Sequence, residues 1–351
     1  MKKTLIALAA LAATGAFAQS SSSVNLYGVL DLAVAKSTDK VSVGGVDTKT
    51  SKTGLENLIN GNRFGLRGTE DLGSGLKANF TLEYATNPDE KAQSLTSRQS
   101  FVGLSGNFGE VRLGRQYTAV HDAQALYDLV NGNTFTAVGY NVMLADRVRA
   151  SNAVTFTSKN YSGFSGEVQY AFGETTTTTK TDNDLNAYVN YANGPLSVGV
   201  AVERVAKPLA VLTTYAPVAN GFTTFNLFGG SATDAFSLSD LAASYDFGVA
   251  KVSGQYFTAK QGTVKGKGLY LGASVPLGAV TLAGSFTPNG EVTNAGTKIT
   301  KFDGYQLLAT YGLSKRTTAY ALFAGDKIDN QAVGSTDYKR TQYGVGLRHT
   351  F

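Results

Sequence analysis

Apolar and polar residues alternate along most of this chain. In Leu76–Tyr84, Ala78, Phe80, Leu82 and Tyr84 share one parity, and Lys77, Asn79, Thr81 and Glu83 share the other. Val24–Lys36 repeats the arrangement, with Leu26, Leu30, Leu32 and Val34 against Tyr27, Val29 and Asp31. A period of two belongs to an extended strand whose faces meet different surroundings. Asn62–Leu72 sets Phe64 and Leu66 against Arg63 and Arg67, and Glu110–Thr118 sets Val111 and Leu113 against Arg112 and Gln116. A charged face behind an apolar one is what a strand shows with lipid outside and water inside.

The breaks in this pattern also alternate. Short turns fall at Gly73–Gly75, Asn107–Gly109, Tyr161–Gly163, Asn193–Pro195, Asp246–Gly248, Pro276–Gly278 and Gly312–Ser314, while connections such as Ser37–Gly61 and Pro208–Ala235 are long. Sixteen strands result, joined by seven short and eight long connections. Short turns at one end, long loops at the other and an even strand number predict an all-β fold, a 16-stranded antiparallel transmembrane β-barrel. Closing the barrel pairs every backbone N–H and C=O within the protein, as lipid requires. A soluble sandwich would instead put the charged face outside and pack the apolar faces of two sheets together.

One segment departs from the rhythm. His121–Ala150 loses the alternation yet stays rich in Leu, Val, Phe and Tyr. Loops of this length are usually functional or disordered, and this one carries enough apolar surface to offset the entropy of ordering. The expectation is a loop folded into the lumen. Its apolar side (Leu126, Leu129, Phe135, Val142, Leu144) would lie on the wall and its polar groups would face the solute path. Pro208–Ala235 is also more apolar than a solvated loop needs to be.

Composition supports the same fold. The chain holds 40 Gly, 18 Tyr and 19 Phe against 6 Pro and no Trp, which favours strands over helices. Lys2 and Lys3, the apolar Leu5–Ala13 and the Ala16-Phe17-Ala18 site read as a secretory signal peptide over residues 1–18, leaving 19–351 as the barrel domain. Without Lys2 and Lys3 the formal net charge falls from +5 to +3, too mild and dispersed for nucleic-acid binding. There is no Cys, so an exported chain of this size relies on backbone pairing and packing. No apolar run after the leader is long enough for a helical span. Arg340–Phe351 alternates to an aromatic last residue, which resembles the terminal signal read by outer-membrane assembly machinery.

Several strings carry a family resemblance: VNLYGVLDLAVA, NRFGLRGTEDLGSGLKANFTLEYA, RQSFVGLSGNFGEVRLGRQYTAVHDA, LSKRTTAYALFA and YGVGLRHTF. In this order they resemble the general diffusion porins of Gram-negative outer membranes, in the branch of the β-proteobacterial and neisserial porins. The resemblance implies a homotrimer in the outer membrane, in contact with its lipids including lipopolysaccharide. It also implies a water-filled pore for small hydrophilic solutes and inorganic ions, narrowed by a constriction loop at 121–150, with no cofactor or metal. Arg63, Arg98 and Arg149 match positions lining the constriction in anion-preferring members. Alternation independently turns Arg63 inward, opposite Phe64 and Leu66. It does not do so for Arg98, which shares the parity of Val102 and Leu104, so either a bulge shifts its register or it lies above the apolar band.

Arg67, Lys77 and Arg112 are expected in the lumen nearer the periplasmic side. Asp122, Asp128 and Asp146 in the loop segment, with lumen-facing Glu83, would oppose the arginines and set a transverse field, hence a moderate anion preference. Arginine suits the task because it stays charged at any accessible pH. Two other functions stand as alternatives. One is a substrate-specific channel for organic anions, phosphate or sugars. The other is an outer-membrane hydrolase, for which the sequence offers only His121 and His349 and no nucleophile motif.

Overall fold

The computed structural model describes residues 22–89, 95–130, 148–174, 183–206, 234–331 and 336–351. Residues 1–21, 90–94, 131–147, 175–182, 207–233 and 332–335 lie outside these, which covers Asp146, Phe135, Val142, Leu144 and nearly all of Pro208–Ala235.

Strands run in chain order as β1 (Ser23–Val43), β2 (Val46–Glu56), β3 (Arg63–Gly73), β4 (Leu76–Ala85), β5 (Thr96–Gly106) and β6 (Gly109–Tyr117). A short helix, α1 (Ala119–Ala125), precedes β7 (Arg149–Thr157), β8 (Phe164–Ala171), β9 (Asp184–Asn193), β10 (Leu196–Val205) and β11 (Phe236–Asp246). Then follow β12 (Lys251–Gln261), β13 (Val264–Leu277), β14 (Val280–Asn294), β15 (Thr297–Gly312), β16 (Thr317–Asn330) and β17 (Thr336–Thr350). Every strand pairs antiparallel with its neighbours, and β1 closes the sheet against β17 over Val29–Val43.

Seventeen strands fill sixteen places in the wall. The lower part of β1 pairs with β3, from Ser23↔Thr69 to Val29↔Arg63, and its upper part pairs with β2, from Ala33↔Glu56 to Val43↔Val46. β2 and β3 are thus one stave interrupted at residues 57–62. The expected loop at Ser37–Gly61 is instead a hairpin turning at Gly44–Gly45, followed by this interruption. Long hairpins also replace the loops expected after β12 and β14, where the strands meet at Gly262–Thr263 and Ala295–Gly296. Above the lipid-facing band the β13–β14 hairpin turns Lys265 and Lys267 outward and packs Val264 and Val292 inward, so the chemistry that marks a strand in lipid is reversed while the backbone pairing continues.

The molecule is turned inside out relative to a soluble protein. Leu26, Val34, Val102, Leu113, Val200, Leu241, Leu307 and Val345 are exposed on the outer face, whereas Gln116, Gln169, Asn186, Gln255, Gln306 and Gln342 are buried on the inner face. This is the distribution that lipid outside and a polar interior select. The seam is sealed by backbone bonds between Gly28 and Phe351 in both directions, at 3.1 and 3.2 Å. The Phe351 ring lies on Gly28, where a Cβ would come within 2.3 Å of it.

Candidate functional site: a basic cluster on the lumen wall

The chain turns inward at Thr118, whose side chain accepts the His121 N–H and so caps α1. From there the described part of the loop crosses the lumen along the wall built by β9–β16. The Ala119 N–H donates to Asn186 on β9 at 2.7 Å, and Gln124 donates to Asp240 on β11 at 3.0 Å. The Tyr127 hydroxyl donates to Asn190 and lies 3.1 Å from the Ser197 hydroxyl. Its burial pushes the phenol up, so it stays a donor. Tyr127 fits because position 199 is glycine; a Cβ there would come within 2.7 Å of the phenol oxygen. Further on, the Leu129 N–H donates to the Tyr270 hydroxyl, which donates to Asp128, each at 3.1 Å.

Apolar contacts fix the same path. Val120 and Ala123 join Phe236, Leu238, Phe257 and Phe302 in one cluster, and Val130 joins Leu58, Ile59, Tyr320 and Leu322 in another. The side chains on the wall are therefore Val120, Ala123, Tyr127 and Val130; Leu126, expected there, is 47% exposed. Within α1 a spacing of three puts Val120 and Ala123 on one face, while Tyr127 and Val130, beyond its last residue Ala125, are held to the wall by their own contacts. Leu58 and Ile59 come from the interruption between β2 and β3. Asp31 holds that lobe inward, accepting the Ile59 and Asn60 N–H groups at 2.8 and 2.6 Å and the Tyr320 hydroxyl.

Three arginines gather on the other side of the lumen. Glu83 on β4 receives Arg98 Nε on one carboxylate oxygen at 2.7 Å and Arg63 Nε on the other at 3.4 Å, and the Tyr27 hydroxyl donates to that second oxygen at 3.1 Å. Arg98 Nη2 reaches the Tyr117 hydroxyl at 2.7 Å, and Arg149 reaches it at 3.3 Å with its guanidinium 4.7 Å from the centre of the Tyr117 ring. His121 stacks on that ring at 4.3 Å. Three guanidinium charges thus stand against one carboxylate.

A bulge brings Arg98 into this group. Glu83 pairs with Gln99 and Tyr84 with Ser97, so Arg98 is the extra residue and its side chain is carried to the lumen face. Glu83 lies among the arginines rather than across the pore from them. A carboxylate 3% exposed needs a charge partner, and two guanidinium groups supply it. Asp122 sits in the first turn of α1 with its carboxylate 3.3 Å from His121 Nδ1. Asp128 accepts the Val130 N–H at 3.0 Å along with the Tyr270 hydroxyl, which occupies it in holding the loop to the wall. Arg112 is matched by Glu167 at 2.6 Å, Arg67 lies 5.0 Å from the Tyr27 ring centre, and Lys77 is exposed on the lumen parity of β4. Alternation could not single out Tyr27, Tyr117 and Asp31, because a lumen-facing phenol or carboxylate looks like any polar residue on that face.

Comparison with known proteins places this arrangement. The family model described as Gram-negative porin matches residues 4–331. The chain is 35% identical to outer membrane porin protein 32 of Delftia acidovorans, with both chains covered in full. It is 28% identical to the major outer membrane protein P.IB of Neisseria meningitidis serogroup B, again over both full lengths. Among solved structures, the anion-selective porin from Comamonas acidovorans superposes with a TM-score of 0.72 at 30% identity, covering 94% of this chain and all of that one.

Proposed function

The chain belongs to the Gram-negative porins of the outer membrane, channels rather than enzymes, and on that premise we propose that it passes small hydrophilic solutes and ions passively with a moderate preference for anions. The observation that carries the anion preference is the cluster of Arg63, Arg98 and Arg149 around Glu83 and Tyr117, which leaves a net charge of two positive units on the wall facing the loop. Fixed positive charge beside a narrow water path raises local anion concentration and repels cations.

In this reading residues 121–150 form the constriction. The bonds from Ala119, Gln124, Tyr127 and Leu129 to the β9–β13 wall anchor the segment on one side and keep the arginine wall open to solute. Asp122 is the loop acid placed to face the pore, and Asp146 is proposed for the same role. Arg67, Lys77 and Arg112 line the path below. Residues 1–18 act as the leader. The functional unit is a homotrimer among outer-membrane lipids, including lipopolysaccharide; the solved Comamonas porin is described as anion-selective and a Vibrio cholerae relative in fold as a trimer.

Planar-bilayer recording of the purified protein in asymmetric potassium chloride tests the reading. The expected result is conductance in triplet steps with a reversal potential favouring chloride. Cation preference in the wild type overturns the assignment of the arginine cluster. Saturable block of the current by one solute at low concentration would indicate a substrate-specific channel instead.

A further inference from the structure

On the outer face of β11–β15 the side chains change character above the lipid-facing band. Leu241, Tyr256, Leu271, Phe286, Tyr305 and Leu307 are exposed apolar residues at the lower level. Two rungs of polar residues lie above them, read from the strand register. The upper rung runs Ser237–Lys260–Lys265–Thr293–Lys298 and the next runs Ser239–Thr258–Lys267–Glu291–Lys301. Buried neighbours of opposite parity, Phe236, Ala259, Gln261, Val292 and Phe302, face the interior, so both rungs face outward. A recess of about 350 Å³ opens between them, lined among others by Ser237, Ser239, Thr258, Lys260, Lys265 and Lys267.

The charges in this recess do not balance. Glu291 is shared by Lys267 at 2.8 Å and Lys298 at 2.6 Å, while Lys260 and Lys265 have no ion-pair partner among the described residues. Those two lysines sit directly opposite each other across β12 and β13. Like charges in that relation destabilise a sheet pair unless something anionic lies between them. Seryl and threonyl hydroxyls on either side offer further donors, and the site stands just above a girdle of Tyr and Phe that marks the membrane interface.

We propose that this recess binds a phosphate of the lipopolysaccharide headgroup in the outer leaflet, with Lys260 and Lys265 clasping the phosphate and Ser237, Ser239 and Thr258 donating to the sugar-phosphate oxygens. The proposal rests on the outer-membrane location argued above and deepens it, naming where on the barrel the glycolipid is held. It fits the height of the recess. A soluble anion could reach it, but the apolar side chains directly beneath would meet the acyl chains of the same lipid molecule.

The test uses the intact barrel in detergent, titrated with bisphosphorylated lipid A, with the same lipid stripped of phosphate, and with inorganic phosphate. Wild type is expected to bind the bisphosphorylated lipid and to discriminate against the other two. The double variant K260A/K265A should bind it roughly twenty-five-fold more weakly, about five-fold for each lysine near an anionic surface, while K260R/K265R retains binding. Equal binding by wild type and K260A/K265A overturns the proposal, and so does binding of inorganic phosphate as tight as that of the lipid. Channel recordings on the same samples keep the two ideas separate. Unchanged conductance in K260A/K265A is expected because both lysines face away from the pore. A wild type that binds lipid but forms no channel would count against the transport function alone.

Discussion

Glu83 Oε1 lies 2.7 Å from Arg98 Nε, and its other oxygen lies 3.4 Å from Arg63 Nε. One buried carboxylate therefore braces two of the three arginines that give the lumen its positive side. It holds the guanidinium groups in place and also subtracts from the field they produce. These two effects are separable by substitution. Glu83→Gln keeps the side-chain shape and an acceptor for one guanidinium while removing the negative charge. The chloride-to-potassium permeability ratio should rise by about a factor of two or more, the equivalent of roughly 0.4 kcal/mol between the ions. A ratio that stays constant or falls, measured from reversal potentials, would show that the field of Glu83 is not felt in the solute path.

Arg63→Glu addresses the cluster from the other side. It leaves two guanidinium groups against two carboxylates, so the wall loses its excess charge. Anion preference should disappear or reverse, with the largest change at low salt because screening shortens the reach of any charge that remains. Arg98→Ala should weaken the preference less if the Tyr117 hydroxyl keeps Arg149 in position. Reversal potentials at two ionic strengths distinguish these outcomes, and an Arg63→Glu channel that still prefers chloride as strongly as wild type would refute the assignment.

Tyr127 tests the anchoring of the loop. Tyr127→Ala removes a buried ring and its hydroxyl contacts with Asn190 and Ser197. Such a truncation costs about 3–5 kcal/mol in a packed core. Here the loss falls on the loop rather than on the barrel ladder. Single-channel records should therefore become noisier while strand content by circular dichroism stays at the wild-type level. Gly199→Val should act in the same direction, because its side chain would occupy the space of the phenol. Quiet, wild-type traces from both variants would show that the loop does not depend on this contact.

Asp31 controls the lobe at residues 57–62. Asp31→Ala strands the buried Ile59 N–H and Tyr320 hydroxyl, each costing about 1–3 kcal/mol when left unpaired, and the half-buried Asn60 N–H. Leu58 and Ile59 should then lose their hold beneath Val130. The expected result is a lower unfolding temperature in detergent together with a higher, more variable conductance, as the far end of the loop loses its seat. A change in stability with conductance unaltered would mean that the lobe serves the wall alone.

Periodicity makes the barrel legible before any coordinates. Alternation in Leu76–Tyr84 assigns lumen and lipid faces residue by residue, because a membrane wall requires opposite chemistry on its two sides and side chains in a regular strand alternate between them. Arg63 could be placed inward for this reason alone. Arg98 could not, since a single extra residue in β5 inverts the parity, and only the register of Glu83 with Gln99 and of Tyr84 with Ser97 shows where that residue falls.

The extended hairpins were hidden too, because above the membrane the outward face carries Lys265 and Lys267 and the inward face Val264 and Val292, the reverse of the pattern that marks a strand in lipid. What lay furthest from sequence was contact across the lumen. Val130 meets Leu58 and Tyr127 rests on Gly199, each pair from elements distant along the chain, while Glu83 gathers Arg63 and Arg98 from the strands on either side of it. Local patterning determines which face a residue takes. Closure of the barrel decides which residues on that face become neighbours, and the selectivity of the pore depends on those neighbours.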